Sequence, residues 1–101
     1  MPLHIRLQPS NRRDRARAKE WTKLLDERWR DAVFERDLYT CRFPGCEANT
    51  NLDAAHIIPR RYLATRWEVK NGLTLCRSHH ELMHARPNAF WDAMRADRMG
   101  R

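Results

Sequence analysis

The sequence predicts a small α+β domain stapled by a structural zinc ion, with a long helix before the metal-binding region and a short helix at the end. Three observations carry this expectation. Apolar residues recur every four positions between about Arg12 and Arg36; residues 52–58 form a short apolar-rich run; and all three cysteines and four of the five histidines fall between Cys41 and His84. At 101 residues the chain supports a single core, since a domain of this size buries only about two thirds of the surface its unfolded chain exposes. A metal staple is welcome at that size.

In chain order, residues 1–10 contain Pro2 and Pro9, show no periodicity and read as an extended arm in which His4 is exposed. Ser10 or Asn11 caps the helix that follows. Its apolar stripe is Trp21, Leu25, Trp29 and Val33, widened by Leu24 and Ala32, which is the spacing of an amphipathic helix. The opposite face carries Arg12, Arg13, Arg15, Arg17, Lys19, Lys23, Arg28 and Arg30. The first turns of the helix read either as a solvated, partly frayed end or as a phosphate-contacting arm; positive charge at a helix N-terminus opposes the helix dipole, which favours something anionic there. After Asp37 the period stops, and the Pro44-Gly45 turn between Cys41 and Cys46 brings two thiols to one side. Residues 52–58, bounded by Asn49-Thr50-Asn51 and Pro59, read as a strand carrying Asp53 and His56. Residues 60–71 read as an irregular loop, buttressed by Trp67 and ended by an Asn71-Gly72 turn. Leu73 and Leu75 lead into Cys76. Ser78 and Glu81 have capping-box spacing, which starts a helix near His79. Pro87 and Asn88 end it, and residues 89–98 form the last helix with Phe90, Trp91 and Met94 as its apolar side. Trp21, Trp29, Phe90, Trp91 and Met94 are read as packing residues, and Leu82 and Met83 as the contact of the metal-bearing helix with the strands. Residues 11–101 thus form one domain, with its metal core over about 37–86.

Composition narrows the partner. The formal net charge is +7 and the sequence pI about 10.2, a balance that favours a polyanion, with nucleic acid the first choice. No apolar run approaches the roughly 18 residues of a membrane span, and residues 1–10 lack the apolar stretch of a signal peptide, so a cytoplasmic protein without a membrane partner is expected. Three cysteines without an export signal suit metal ligation better than a disulfide framework.

Two ligand sets lie on the stretch Cys76-Arg-Ser-His79-His80-Glu-Leu-Met-His84. Cys41 and Cys46 form one pair, and Cys76 with His79 a second about thirty residues on, which is the usual two-loop arrangement of a closed structural zinc site. His80 and His84 are four apart and within about 40° of each other on a helix, whereas His79 is turned about 100° from His80. One helix can give His79 to zinc and present the other two together elsewhere.

These residues resemble the HNH endonucleases, over roughly residues 29–84. The likeness rests on Arg36-Asp37-Leu38-Tyr39-Thr40-Cys41, then Cys46, then Asp53-Ala54-Ala55-His56-Ile57-Ile58-Pro59, then Trp67 and Asn71, then Leu75-Cys76 with His79, His80 and His84. It implies a ββα-metal (His-Me finger) core in which two strands and a helix are pinned by metal. It further implies His56 as general base, Asn71 as the brace of loop and base, and His80 and His84 as ligands of a catalytic divalent ion. Cys41, Cys46, Cys76 and His79 match the zinc positions, with a histidine where the family more often has a fourth cysteine. The family commonly has Asp or His just before the base, as a metal ligand, and this chain has Ala55. Asp53, on the same strand face, is then either a replacement ligand or a carboxylate that orients a histidine.

By that resemblance the expected activity is metal-dependent hydrolysis of phosphodiester bonds in double-stranded DNA, leaving 5′-phosphate and 3′-hydroxyl ends. Imidazole ligands suit Mn²⁺ better than Mg²⁺, so Mn²⁺ is expected to be preferred. One site cuts one strand, so a monomer nicks. Arg42, Arg60, Arg61, Arg66, Arg77 and Arg86 are the expected phosphate contacts, and with no base-reading module beside the metal core, weak sequence preference is expected. A phage packaging or restriction-system protein is the kind of partner that would direct the cut. The contrasting expectation, from the gap at Ala55, is a zinc-stabilised nucleic-acid-binding module with a degenerate site.

Overall fold

Asn11 caps the first helix, α1 (Arg12–Arg36): in extended backbone, its Oδ1 accepts the N–H of Asp14 at 2.8 Å. Asp14 also places an acidic group in the otherwise basic first turn. The computed structural model describes residues 11–99; the expected arm over 1–10 and His4 lie outside them. At the far end Leu38 and Tyr39 both take left-handed backbone, φ 55° and 52°, which ends the helix and turns the chain toward the cysteine loop. No helix among the described residues is long and apolar enough to cross a membrane.

Two strands follow, β1 (Leu52–His56) and β2 (Gly72–Cys76), paired antiparallel from Leu52 opposite Cys76 to His56 opposite Gly72. Between them lie a one-turn helix α2 (Leu63–Arg66) and a 3-10 turn (Val69–Asn71). Then come α3 (Arg77–Ala85) and α4 (Pro87–Met99). Side chains of a strand alternate between faces, and each face of the hairpin has its own cover. Ala55, Leu73 and Leu75 pack with Met83 of α3, Phe90 of α4 and Cys41, where Leu75 and Phe90 have no exposed surface. Burying each of those two side chains contributes about 1.5–3 kcal/mol. The other face meets α1: Gly72 lies against Val33 and Trp29, and the Thr74 hydroxyl donates to the Val33 carbonyl at 3.4 Å.

Asp37 ties the three parts together. Its buried carboxylate accepts from Arg36 twice at 2.7 Å, from Arg42 at 2.6 Å and from the backbone N–H of Thr74 at 3.1 Å. Burial alone would raise its pKa, but these donors hold it down at about 2. Arg36 also reaches the carbonyls of Val69 and Gly72 at 2.8 Å each.

The structure corrects several local expectations. The strand ends at His56 rather than Ile58, because the Ile58 N–H leaves the ladder for Asn71 Oδ1 at 2.7 Å. Gly72 makes no turn; its backbone is extended, φ −114° and ψ 152°. Glycine is needed there for space, since a Cβ would stand 2.3 Å from Val33 Cγ2 and 2.8 Å from Trp29 Cζ2. There is no capping box either. Cys76 is the N-cap of α3 without a side-chain cap bond, and Ser78 lies inside the first turn with its hydroxyl 3.7 Å from the Cys76 sulfur. Pro87 opens α4 instead of merely ending α3, as suits a residue with fixed φ and no N–H to donate. Residues 60–71 hold two short helical turns where an irregular loop was expected. Trp21 is 40% exposed. It precedes Trp29 by eight residues, about 12 Å along the helix, and the helix meets the hairpin at Trp29 and Val33.

Candidate active site and metal centre

The cysteine loop is set by backbone bonds. Cys41 N–H donates to Ala48 O at 2.9 Å, Arg42 N–H to Thr74 O at 2.8 Å and Cys46 N–H to Phe43 O at 3.0 Å, with Gly45 at φ 80°. This folds Cys41 and Cys46 against the start of α3, where the Cys76 sulfur lies 3.2 Å from His79 Nδ1 and the Cys41 sulfur 3.6 Å from it. The four ligand atoms of Cys41, Cys46, Cys76 and His79 all lie within 4.8 Å of one another. Zinc–sulfur bonds of about 2.3 Å and zinc–nitrogen bonds of about 2.0 Å in a tetrahedron place ligands roughly 3.5–3.8 Å apart, so a structural zinc fits this cluster. The Phe43 ring stacks on His79, centroids 4.1 Å apart and 9° from parallel, and fixes the imidazole with Nδ1 turned inward. Burial pushes the Cys41 thiol up to about 11. At Cys76 burial acts in the same direction but is outweighed by the His79 backbone N–H, the Ser78 hydroxyl and the neighbouring thiol and imidazole, so this thiol falls to about 6. A buried thiol such as Cys41 ionises only beside a cation, and a coordinated zinc supplies one.

His56 stands at the end of β1. Its ring stacks on Trp29 of α1, centroids 3.9 Å apart and 8° from parallel, and its Nε2 is 2.9 Å from the Arg66 carbonyl. A carbonyl only accepts, so Nε2 carries the proton and the lone pair is on Nδ1. Burial, mainly, lowers the His56 pKa, with Arg66 and Arg60 adding repulsion; the Arg66 carbonyl and Asp26 pull the other way. The ring is therefore neutral at pH 7 and presents one accepting nitrogen. Asn71 is buried and braces the loop: Oδ1 takes the Ile58 N–H, and Nδ2 donates to the carbonyls of Ile58 and Thr65 at 3.1 Å each.

On α3, His80 Nε2 and His84 Nε2 are 3.2 Å apart. His80 Nδ1 is 3.0 Å from Asp53 Oδ2, and Asp53 also receives Arg77 through Nε at 2.9 Å and Nη2 at 3.2 Å. Burial opposes ionisation of Asp53, but His80 and Arg77 outweigh it and its pKa is lowered. An ionised carboxylate accepts only, so His80 Nδ1–H donates to Asp53 and leaves Nε2 facing His84. Two imidazole nitrogens that converge in this way, once deprotonated, are a donor pair that fits a divalent ion. Asp53 thus meets the far nitrogen of His80, the geometry of an orienting carboxylate. Ala55, where the resembling family has a ligand, is 1% exposed and belongs to the core.

His56, His80 and His84 line one open cleft of about 630 Å³, together with Trp29, Arg30, Ala54 and Arg60. The arginines expected around it divide. Arg60 lines the cleft, Arg61 lies over the Tyr62 ring at 4.8 Å, and Arg86 is exposed. Arg42, Arg66 and Arg77 are engaged with Asp37, Asp26 and Asp53. The sequence does not single out Asp26, reads Arg30 only as part of the basic face of α1 and Trp29 as packing alone; the one available signal is that Asp26 and Trp29, three apart, share a helix face.

Residues 41–90 match the protein-family model described as HNH endonuclease. The match covers the cysteine loop, the hairpin, α3 and the first turn of α4, and excludes α1. No curated protein and no solved structure matches the chain.

Proposed function

Residues 41–90 are an HNH endonuclease domain, which implies a nuclease hydrolysing phosphodiester bonds, and from this premise we propose a divalent-metal-dependent DNA endonuclease that nicks one strand of a duplex per event. The observation that carries the proposal is that His56, neutral and with one accepting nitrogen, lines the same cleft as His80 and His84, whose Nε2 atoms converge. In this reading His56 Nδ1 takes the proton of the attacking water, as a base titrating near working pH can. Trp29 and the Arg66 carbonyl hold the ring in place, and Asn71 holds the loop that bears the carbonyl. His80 and His84 would hold the catalytic ion, Mn²⁺ in preference to Mg²⁺, with Asp53 orienting His80. When bound, that ion supplies charge stabilisation at the phosphoryl oxygens and at the departing 3′ oxygen, which leaves 5′-phosphate and 3′-hydroxyl ends. Arg30 and Arg60 at the cleft, with the basic face of α1, attract the DNA backbone without reading sequence. Residues 11–101 act as one domain with its metal core over 37–86, as a monomer.

One observation favours a second reading, a zinc-stabilised nucleic-acid-binding module: Ala55 fills the core where a ligand would stand. Supercoiled plasmid incubated with Mn²⁺, with and without chelator, beside His56→Ala separates the two. Chelator-sensitive nicking by the wild type, lost in His56→Ala and weaker with Mg²⁺, is the expected result. Intact plasmid in both lanes, with both proteins retarding it in a gel, establishes the binding module instead.

A further inference from the structure

We infer that Asp26 of α1 is a positioning residue for the His56 base, acting through the peptide bond between Arg66 and Trp67. The inference rests on the reading of His56 as base. One carboxylate grips both residues of that peptide: Asp26 Oδ1 accepts from Arg66 Nε at 3.0 Å and from Trp67 Nε1 at 2.8 Å, while Oδ2 accepts from Arg66 Nη2 at 2.8 Å. The carbonyl between them is the one to which His56 Nε2 donates, at 2.9 Å. Trp29, one helical turn after Asp26 and on the same face of α1, stacks on the ring and donates its own Nε1–H to the Glu68 carbonyl at 2.7 Å. The helix therefore fixes the imidazole by its face and, through Asp26, by its Nε2 edge.

This matters because the rest of the support is thin: Asn71 Nδ2 reaches the Thr65 carbonyl, one residue earlier, and not the Arg66 carbonyl itself. The carbonyl belongs to the end of a one-turn helix, Leu63–Arg66, with no buried residue and no side-chain cap. Such a segment has little packing of its own to define where its carbonyl points. The side-chain donors of Arg66 and Trp67 converge on Asp26, and Arg66, at 15% exposure, is the more buried partner. An Arg–carboxylate fork adds direction as well as attraction. Asp26 and Trp29 also lie outside the matched residues 41–90, so the endonuclease domain depends on a helix that precedes it. The charged groups acting on His56 are Arg66, Asp26 and Arg60, and the loss of Asp26 removes the one negative member of this set.

Single-turnover nicking of plasmid by the zinc- and Mn²⁺-loaded full chain tests the inference, with wild type, Asp26→Asn, His56→Ala and the double variant. Asp26→Asn is expected to lower kcat on the order of tenfold, as a displaced reacting group does, with KM for DNA within about twofold of wild type. The acid limb of its pH profile moves to lower pH, because Asp26 and the Arg66 carbonyl both favour protonated His56. In the His56→Ala background Asp26→Asn causes no further loss, as two residues acting as a unit require. Asp26→Glu, which keeps the carboxylate, recovers part of kcat. Should Asp26→Asn fail to fold, Trp67→Phe removes one bond of the grip and is held to the same non-additivity. A wild-type kcat in Asp26→Asn, or an equal fold loss in both backgrounds with an unmoved acid limb, overturns the inference and leaves Asp26 a plain structural anchor. Undiminished nicking by His56→Ala overturns the base assignment itself, whatever Asp26 does.

Discussion

Substitution of Gly72 by alanine adds one carbon where α1 presses on β2. That carbon would stand 2.3 Å from Val33 Cγ2 and 2.8 Å from Trp29 Cζ2, whereas non-bonded carbons rest about 3.5–4.0 Å apart. Neither neighbour can yield cheaply. Val33 is fully buried and, being β-branched on a helix, is held to one rotamer; Trp29 is pinned between His56 and the Glu68 carbonyl. The helix must back away from the strand by about 1 Å, an overpacking cost of roughly 3 kcal/mol, at the upper end for core insertions. The stiffer unfolded chain of an alanine variant offsets about 0.5–1 kcal/mol. The net is a loss of about 2 kcal/mol, or roughly 8–16 °C in Tm for a domain of this length. Because Trp29 carries His56, kcat should fall on the order of tenfold as well. Thermal melts of zinc-loaded protein and plasmid nicking measure the two effects. Gly45→Ala is the control: its φ of 80° makes alanine strained, but nothing lies within 4 Å, so it should lower Tm and leave kcat alone. Val33→Ala removes the clashing methyl, so the double variant should be less destabilised than the sum of the singles. A Gly72→Ala protein melting within about 2 °C of wild type would falsify the close-approach argument.

Two further outcomes follow from the staples. Chelation of zinc from the cluster of Cys41, Cys46, Cys76 and His79 should abolish cooperative melting, since structural zinc contributes on the order of 10 kcal/mol against a total stability of about 5–15 kcal/mol; metal analysis should give one zinc per chain, lost in Cys76→Ser, and a metal-free protein with unchanged Tm contradicts this. Asp37, held at about 2 against about 3.9 unfolded, contributes stability that is fully present above the unfolded value and lost as pH falls through the folded one. Urea titrations should find Asp37→Asn less stable by about 2 kcal/mol from pH 8 to pH 5, with the gap narrowing only below about pH 4; equal stabilities at neutral pH count against it.

The bounds of α1 were legible because a four-residue apolar recurrence and an N-capping Asn11 are local signals, and the zinc set was legible because ligand identity and spacing are chemical constraints on the chain itself. The separation of His79 from His80 and His84 followed from helix geometry alone. What failed was local chemistry overridden by contacts made from a distance: the Ser78–Glu81 spacing yielded to Cys76 at the head of α3, and Gly72 serves room for Val33 and Trp29 rather than a turn. Trp21 kept the spacing of its stripe but not its burial, because periodicity says which face is apolar and not how far the neighbouring sheet extends. The residue types and order of the cysteine and histidine positions were thus determined by the sequence. Only the tertiary structure decided which groups face the ring nitrogens of His56 and His80, the pairing of Arg66 with Asp26 across forty residues, and the stacking of Trp29 on His56. A proton's place on an imidazole depends on which group faces each nitrogen, and those groups meet only when the hairpin docks on α1.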